Sequence, residues 1–198
     1  MTDVTNNAKR LSWNKMFMEI AKIVAKRSKD PHTKVGAVIV KDNHILGIGY
    51  NAEPKNFKYG FEWTTDEKYQ FVIHAEMNAI ANATSYCGDI RGSDIYVTLS
   101  PCSECMKLLM QYEIRNVYYM KRYEKTFKTT MLMSTYSNVK LICMNNKEMM
   151  KEKRLKIGKQ IYEHVYTVSS AAKVFNISFY TARNYLRKYK KLLKENRI

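Results

Sequence analysis

The 198-residue sequence is poor in proline, glycine and cysteine, and each shortage excludes a class of protein. Three prolines and seven glycines are too few for long disordered linkers, so we expect a folded chain. No apolar run reaches the roughly 18 residues of a membrane span, and residues 1–10 lack the apolar core of a signal peptide. We therefore expect a soluble, cytoplasmic protein with no membrane contact. Its four cysteines are then thiols or metal ligands rather than disulfides.

Acidic residues are also scarce, and the shortage is concentrated at one end of the chain. Residues 1–150 carry 21 Lys and Arg against 15 Asp and Glu, whereas residues 151–198 carry 13 against three. The second segment thus holds +10 of the total formal charge of +16. This asymmetry predicts a separate module with a polyanionic partner, or a solvated basic helix that keeps a small protein soluble.

The first 145 residues alternate helical and strand patterns. A stripe of apolar residues at helical spacing predicts a helix over residues 11–28, which ends before Pro31. Two β-rich runs around a polar turn then predict a hairpin of residues 35–40 and 45–50, with His44 exposed in the turn. The later predicted elements are helices over 75–83, 101–112 and 124–136, and strands over 94–99, 116–120 and 139–144. Ser100 is the expected N-cap of the second of these helices, with Pro101 as its first residue.

This alternation predicts a three-layer α/β/α sandwich with a mixed five-stranded sheet, followed by a small all-α module. The expected domains are residues 1–145 and 146–198. Between the hairpin and the next helix, residues 51–70 have no clear period and carry five aromatic residues. Such a long loop is usually functional, so we expect a lid over a planar substrate or an oligomer contact.

Two short motifs, His74-Ala75-Glu76 and Pro101-Cys102-Ser103-Glu104-Cys105, carry the chemistry. Cys102 and Cys105 lie three apart at a predicted helix start, where both thiols can face one side and thiolates are favoured. With His74 they predict one zinc ion with three protein ligands and an open position, as in catalytic sites. A closed structural site would need a fourth ligand, such as Cys87 or Cys143, and neither has motif spacing. Glu76 would not bind the metal but would carry a proton between water and a leaving amine.

The residues around these motifs resemble those of the deoxycytidylate (dCMP) deaminases of the zinc-dependent cytidine deaminase superfamily. The resemblance covers about residues 11–145. The matching segments are 27–31 (Arg-Ser-Lys-Asp-Pro), 35–40 (Val-Gly-Ala-Val-Ile-Val), 47–51 (Gly-Ile-Gly-Tyr-Asn), 74–80 (His-Ala-Glu-Met-Asn-Ala-Ile) and 96–99 (Tyr-Val-Thr-Leu). It implies hydrolytic conversion of dCMP to dUMP and ammonia, which feeds dTMP synthesis.

The resemblance also implies roles for residues outside the two motifs. Asn51 would contact the sugar or the base, and Tyr123 would lie at the nucleotide. The phosphate needs cationic partners, for which the candidates are Arg27, Lys29, Arg115 and Arg122. Family members are often hexamers and respond to dCTP, with Mg²⁺, and to dTTP. In the family, the segment around residue 52 borders the allosteric site for these nucleotides. This chain has Ala52 where many relatives have glycine, so its regulation could differ from theirs.

Residues 145–198 need a separate interpretation. The segment 145–164 is charged and helical in pattern, and residues 167–186 resemble a helix-turn-helix. Ser169 or Ser170 would cap a short helix, Asn176 would occupy the turn, and Ser178 would cap the second helix. In DNA-binding examples that helix enters the major groove. Its candidate nucleic-acid-binding residues are Thr181, Arg183, Asn184, Arg187 and Lys188, and the alternative is a helical module for oligomer or partner contacts.

Two other functions remain open for the whole chain. The first is a deaminase that acts on a cytosine or adenine within single-stranded nucleic acid, with the basic tail supplying affinity. The second is a DNA-binding regulator whose deaminase domain senses nucleotides. The complete set of zinc ligands and glutamate favours an enzyme over the regulator.

Overall fold

The computed structural model describes residues 10–195, without the side chains of residues 146–153. The described chain forms two compact units, one ending at Met144 and the other beginning at Asn145. No described helix combines the length and the apolar character needed to cross a bilayer.

The first unit contains five helices and five strands in its described residues, in nearly the predicted order. The helices are α1 (Trp13–Ala25), α2 (Lys68–Phe71), α3 (Ala75–Cys87), α4 (Ser103–Gln111) and α5 (Phe127–Thr135). The strands are β1 (Gly36–Lys41), β2 (His44–Tyr50), β3 (Asp94–Leu99), β4 (Asn116–Lys121) and β5 (Lys140–Cys143). The short α2 lies at the end of the loop for which no helix was predicted.

The five strands form one mixed sheet in the order β2-β1-β3-β4-β5. β1 pairs antiparallel with both β2 and β3, whereas β3, β4 and β5 are parallel. The hairpin turn places Asp42 and Asn43 at positive φ, a conformation that short polar side chains tolerate. His44 is exposed at the start of β2, as predicted.

Alternate strand residues pack on opposite faces of the sheet, which gives three layers. Val38, Val40 and Tyr96 pack with the buried side of α1. Ile39 and Val97, on the opposite face, belong to the larger core that includes residues of α3 and α4. The predicted α/β class and the mixed five-stranded sheet are therefore confirmed.

The start of α4 differs from the prediction. Cys102, not Ser100, is the N-cap, and its thiol accepts a hydrogen bond from the backbone N–H of Cys105 at 3.4 Å. Ser100 instead accepts from the backbone N–H of Tyr123 at 2.8 Å, because the ends of the neighbouring parallel strands β3 and β4 lie side by side.

The second unit contains three helices, α6 (Asn146–Tyr162), α7 (Val168–Val174) and α8 (Phe179–Lys194). Ile157, Ile161, Ala171 and Ala182 form its buried core. Thr167 caps α7, so the expectation of Ser169 or Ser170 at this position is wrong. Ser178 caps α8 as predicted, by accepting from the backbone N–H of Thr181 at 3.1 Å. Asn176 turns the chain between α7 and α8 at a positive φ of 48°.

Candidate metal centre and active-site cavity

Two helix starts bring three metal-binding side chains together. His74 is the N-cap of α3 and Cys102 is the N-cap of α4, one turn before Cys105. The Nδ1 atom of His74 lies 3.4 Å from the Sγ atom of Cys102 and 3.3 Å from that of Cys105. The three ligand atoms lie within 4.8 Å of one another. Residues 28 or more positions apart thus converge because α3 and α4 pack on the same face of the sheet.

These distances fit a zinc ion bound by one nitrogen and two sulfurs. Tetrahedral bonds of about 2.0–2.1 Å to nitrogen and about 2.3 Å to sulfur separate the two donor atoms by roughly 3.5 Å. The observed nitrogen–sulfur distances of 3.3 and 3.4 Å are close to that value. Neither Cys87 nor Cys143 belongs to the metal-binding group among the described residues, so the arrangement is that of an open site.

The surrounding protein groups shift the pKa values of the Cys102 and Cys105 thiols in opposite directions. Hydrogen bonds from Cys105 and from His74 lower the pKa of the Cys102 thiol to about 4, against the effect of its burial. The hydrogen bond to Cys102 and burial raise the pKa of Cys105 far above its ordinary value. The hydrogen bond with Cys102 also raises the pKa of His74. Without a metal, the thiol of Cys105 keeps its proton beside the more acidic Cys102. Zinc binds thiolates, so zinc binding would release that proton.

Glu76 lies in the first turn of α3, two residues after His74, and is 4% exposed. Burial raises the pKa of its carboxyl group to about 7, against the opposing effects of its own backbone N–H and of His74. A carboxyl group with a pKa near neutrality can both accept and donate a proton at physiological pH. The position and the electrostatics of Glu76 therefore suit proton transfer beside the metal-binding group.

A cavity of about 320 Å³ lies beside the metal-binding group, and three of the four catalytic and metal-binding candidates line it. His74, Glu76 and Cys102 line it, whereas Cys105 is fully buried beneath. The volume lies in the range typical of small-molecule sites. The other lining residues are Asp30, Thr33, Val35, Asn51, Lys68, Tyr69, Val72, Ala75, Leu99, Ser100 and Tyr123.

Asn51 and Tyr123 both line this cavity. The side chain of Asn51 is 7% exposed and also holds the neighbouring wall of the cavity. Its Oδ1 atom accepts from the backbone N–H of Val35 at 2.8 Å, and its Nδ2 atom donates to the carbonyl of Thr33 at 2.9 Å. Part of the hydrogen-bonding capacity of this amide is therefore used within the protein.

The cationic residues that were candidates for the phosphate do not line the cavity. Arg115 begins the turn into β4 and pairs with Asp94 at 3.1 Å, at the end of the sheet opposite the cavity. Lys29 pairs with Glu53 at 3.1 Å, and the guanidinium of Arg122 stacks over Phe127. Arg27 is exposed just beyond α1.

Lys68 is the one lysine or arginine among the described lining residues, and no sequence pattern singled it out. It is 6% exposed, and its Nζ atom donates to Oδ2 of Asp30 at 2.8 Å. Oδ1 of Asp30 accepts from the backbone N–H groups of His32 and Thr33 at 2.9 and 3.0 Å. The pair thus joins α2 to the segment that forms one wall of the cavity.

The aromatic residues of the long loop mainly pack on one another. The rings of Phe57, Phe61 and Phe71 lie with centroids 5.4–6.5 Å apart, and Tyr59 and Trp63 join the same cluster. Of the five aromatic residues in the predicted lid, Tyr69 lines the cavity and the other four do not, so the lid over a planar substrate stays a prediction. The oligomer contact stays a prediction.

The candidates in the second unit lie along α8. Arg183, Arg187 and Lys188 are exposed, and Asn184 is half-buried. Thr181 is also half-buried, and its hydroxyl lies 2.7 Å from that of the N-cap Ser178. The structure therefore gives Thr181 a capping role that its sequence position did not reveal.

Comparisons with known proteins agree with this geometry. Residues 11–121 match the family described as the cytidine and deoxycytidylate deaminase zinc-binding region. Deoxycytidylate deaminase from Mus musculus is 43% identical over 129 residues, which cover 61% of this chain and 71% of the relative. A probable deoxycytidylate deaminase from Caenorhabditis elegans is 39% identical over 136 residues, covering 65% and 68% of the two chains.

A solved structure shares the fold of the first unit. The dCMP deaminase of cyanophage S-TIM5, crystallised with dCMP and dUMP, is 31% identical with a TM-score of 0.58. The match covers 65% of this chain and 94% of that one. The zinc-compatible ligand group, the buried glutamate and the family match over more than half of the sequence lead to one conclusion. This chain belongs to the zinc-dependent cytidine and deoxycytidylate deaminase family.

Proposed function

We propose that this chain hydrolyses dCMP to dUMP and ammonia. The observation that carries the proposal is the buried carboxyl group of Glu76 beside the His74–Cys102–Cys105 group, at the base of one cavity. The similarity to deoxycytidylate deaminases and to a cyanophage enzyme solved with dCMP and dUMP supports deoxycytidine monophosphate as the substrate. The product would feed dTMP synthesis, and we expect the enzyme to act in the cytoplasm.

His74, Cys102 and Cys105 would hold one zinc ion in each chain. When bound, zinc supplies Lewis acidity, which lets a water molecule ionise near neutral pH. Two thiolates and one imidazole leave one position open for that chemistry.

Glu76 would move the protons of the reaction. Its carboxylate takes a proton from the attacking water and delivers it to the ring nitrogen next to the reacting carbon. The second water proton follows the same route to the departing amino group, which leaves as ammonia. The carbon gains one C–O bond and loses one C–N bond, so no oxidant or reductant is needed. Burial of Glu76 among protein groups raises its pKa to about 7, which suits a group that both accepts and donates a proton.

Lys68 is our candidate for binding the 5′-phosphate, with Tyr123 and Asn51 at the rest of the nucleotide. An ammonium group has three hydrogen-bond donors, and Asp30 accepts from one of them. Asp30 would hold Lys68 in place in the absence of substrate. Arg27 and Arg115 do not line the cavity, so the structure gives them no comparable support.

The alternative is deamination of a base within single-stranded nucleic acid. The same zinc-binding group and glutamate would serve that reaction, and the basic second unit would add affinity. The similarity to deoxycytidylate deaminases favours the free nucleotide. A homo-hexamer regulated by dCTP, with Mg²⁺, and by dTTP remains part of the proposal.

Replacement of Glu76 by glutamine tests the proposed mechanism. We expect Glu76→Gln to reduce dCMP turnover by at least about 100-fold, since proton transfer contributes about 10²–10⁴-fold. The variant should keep about one zinc per chain, because the three ligands are unchanged. Cys105→Ser should instead lose zinc, and Cys87→Ser, an exposed thiol outside the group, should keep both zinc and activity. Normal turnover in Glu76→Gln would disprove the assigned role.

A further inference from the structure

We propose that the second unit binds duplex DNA with α8 in the major groove. The proposal concerns a surface that the deamination reaction does not use. It rests on the packing of the three helices, on the charge of the outer face of α8, and on the types of side chain exposed at its N-terminal end.

Only one side of α8 packs against α6 and α7. Ala182 is fully buried, and Tyr185 and Leu186 pack against the core formed by α6 and α7. Gly158 of α6 lets α8 approach closely, because a Cβ atom there would lie 2.6 Å from the carbonyl oxygen of Tyr185. Residues on the opposite side, at positions 180, 184, 187 and 191, follow helical spacing and point away from this core.

The outer face of α8 is strongly cationic. The 16 residues of α8 include six lysines and arginines and no aspartate or glutamate, and one of the six, Lys190, lies over the ring of Tyr162 in α6. The six are Arg183, Arg187, Lys188, Lys190, Lys191 and Lys194. Among the described residues, Lys191 alone of these six forms an ion pair, with Glu195 at 3.8 Å.

This charge distribution opposes folding of the isolated helix. The pairs 183/187, 187/191 and 190/194 place like charges four residues apart, and such pairs destabilise a helix. A solvated helix would normally alternate the signs of its charges. An unbalanced cationic stripe from Arg183 to Lys194, about 17 Å long at about 1.5 Å per residue, matches the phosphate backbone of a nucleic acid.

The N-terminal end of α8 favours a duplex over an acidic protein or a single strand. Tyr180 is 73% exposed, and Arg183 and Asn184 follow on the same side of the helix. Arginine and asparagine can form paired hydrogen bonds with guanine and adenine in the major groove. The tight turn at Asn176 and the cap at Ser178 place this end as in a recognition helix. Arg187, Lys188 and Lys191 then lie further along the helix, where they can contact phosphates.

Fluorescence anisotropy with the full-length chain tests the proposal. The probes are a labelled random-sequence duplex, the corresponding single strand, and polyglutamate as an acidic competitor. Arg187→Gln/Lys188→Gln removes two exposed charges from the part of α8 that would contact phosphates, with little change in helix propensity. Lys15→Gln/Lys26→Gln removes two exposed charges from the first unit and is the matched control. Circular dichroism and dCMP turnover report whether each variant folds.

We expect duplex binding that weakens steeply between about 50 and 200 mM salt. The α8 variant should bind at least about tenfold more weakly, and its slope of log affinity against log salt should fall by about 2, one unit for each lost phosphate contact. The control should stay within about twofold of the parent, because its charges belong to the first unit and not to the unit proposed to bind DNA. A second variant, Tyr180→Ala/Asn184→Ala, should keep the salt slope but lose preference for duplexes selected from a random pool.

Several results would overturn the proposal. These are undetectable duplex binding at low salt, equal losses in the α8 variant and the control, and tighter binding of the single strand than of the duplex. Displacement of the duplex by polyglutamate at equal charge concentration would show an unspecific anion surface and would also contradict it.

Discussion

Lys68 and Asp30 illustrate how single residues define the cavity. Their side chains are 7% and 5% exposed, so each charge is largely withdrawn from water and compensated by the other. Removing one member of a buried ion pair costs about 3–5 kcal/mol because the remaining charge has no partner. The pair is thus a structural link between α2 and the cavity wall, and it holds the ammonium group of Lys68 at the site.

The kinetic role of Lys68 can be separated from its structural role. We expect Lys68→Gln to raise the KM for dCMP by about 10–100-fold, since a charge-assisted hydrogen bond contributes about 1.5–3 kcal/mol. The KM for deoxycytidine, which has no phosphate, should change much less. Steady-state kinetics at saturating zinc measure both values, and the change for deoxycytidine reports any general loss of structure at the site. Equal effects on the two substrates would contradict phosphate binding by Lys68.

The same pair predicts how stability depends on pH. Burial of Asp30 raises its pKa, but hydrogen bonds from Lys68, Thr33 and His32 outweigh burial, so the pKa lies below the ordinary 3.8. Because the folded-state value is lower, the pair stabilises the fold above pH 3.8, and this contribution disappears as the pH falls through the folded-state pKa. Urea unfolding followed by the fluorescence of Trp13 and Trp63 measures it. Asp30→Asn/Lys68→Gln should show a shallower loss of unfolding free energy in acid, and an unchanged slope would count against the pair.

At the scale of secondary structure, the packing of α3 on β2 sets the position of Glu76. Gly49 of β2 lies against the backbone of Ala75 and Ala79, so α3 can approach the sheet only where no Cβ intervenes. The side chain of Asn78 donates to the carbonyl of Tyr50 at 2.9 Å, and that of Asn82 donates to the carbonyl of Ile48 at the same distance. The first turn of α3, which carries Glu76, is therefore fixed to the strand beside it.

An added methyl group should disturb this contact. We expect Gly49→Ala to destabilise the first unit by about 1–3 kcal/mol or more through overpacking against the α3 backbone. Gly60→Ala is the matched control, because a Cβ there meets nothing within 4 Å. Thermal unfolding followed by tryptophan fluorescence compares the two, with a shift of about 2–8 °C for each kcal/mol. If Gly49→Ala is as stable as Gly60→Ala, the close approach does not position α3.

The elements also show what the sequence could and could not reveal. The convergence of His74, Cys102 and Cys105 was predicted from their residue types, which suit an open zinc site, and from the resemblance of the two motifs to those of zinc-dependent deaminases. The partnership of Lys68 with Asp30 spans 38 positions and follows no local pattern, so only the folded chain reveals it. The sequence alone could have excluded Arg115 as a phosphate ligand. Arg115 directly precedes β4, whereas the cavity residues Leu99 and Ser100 lie at the end of the parallel strand β3, so the two positions are at opposite ends of the sheet. Cys102 replaced Ser100 as the N-cap because sequence patterns locate helix ends only to within a few residues.

At the scale of the whole molecule, each of the two compact units carries a different functional feature. The unit that ends at Met144 holds the cavity and the metal-binding group, and the unit that begins at Asn145 holds the cationic α8. The charge asymmetry of the sequence anticipated this division, since the last 48 residues carry most of the excess positive charge. A nucleotide-pool enzyme with an attached DNA-binding module would account for both units.

The most direct test of the central claim is a substrate panel on the full-length, zinc-loaded chain. The panel contains dCMP, CMP, dCTP, deoxycytidine and a single-stranded oligonucleotide with one cytosine, and ammonia release is measured for each. We predict that dCMP has the highest kcat/KM, and that deoxycytidine is at least about tenfold poorer for lack of the phosphate that Lys68 would bind. Deamination of the oligonucleotide without detectable turnover of dCMP would contradict the account.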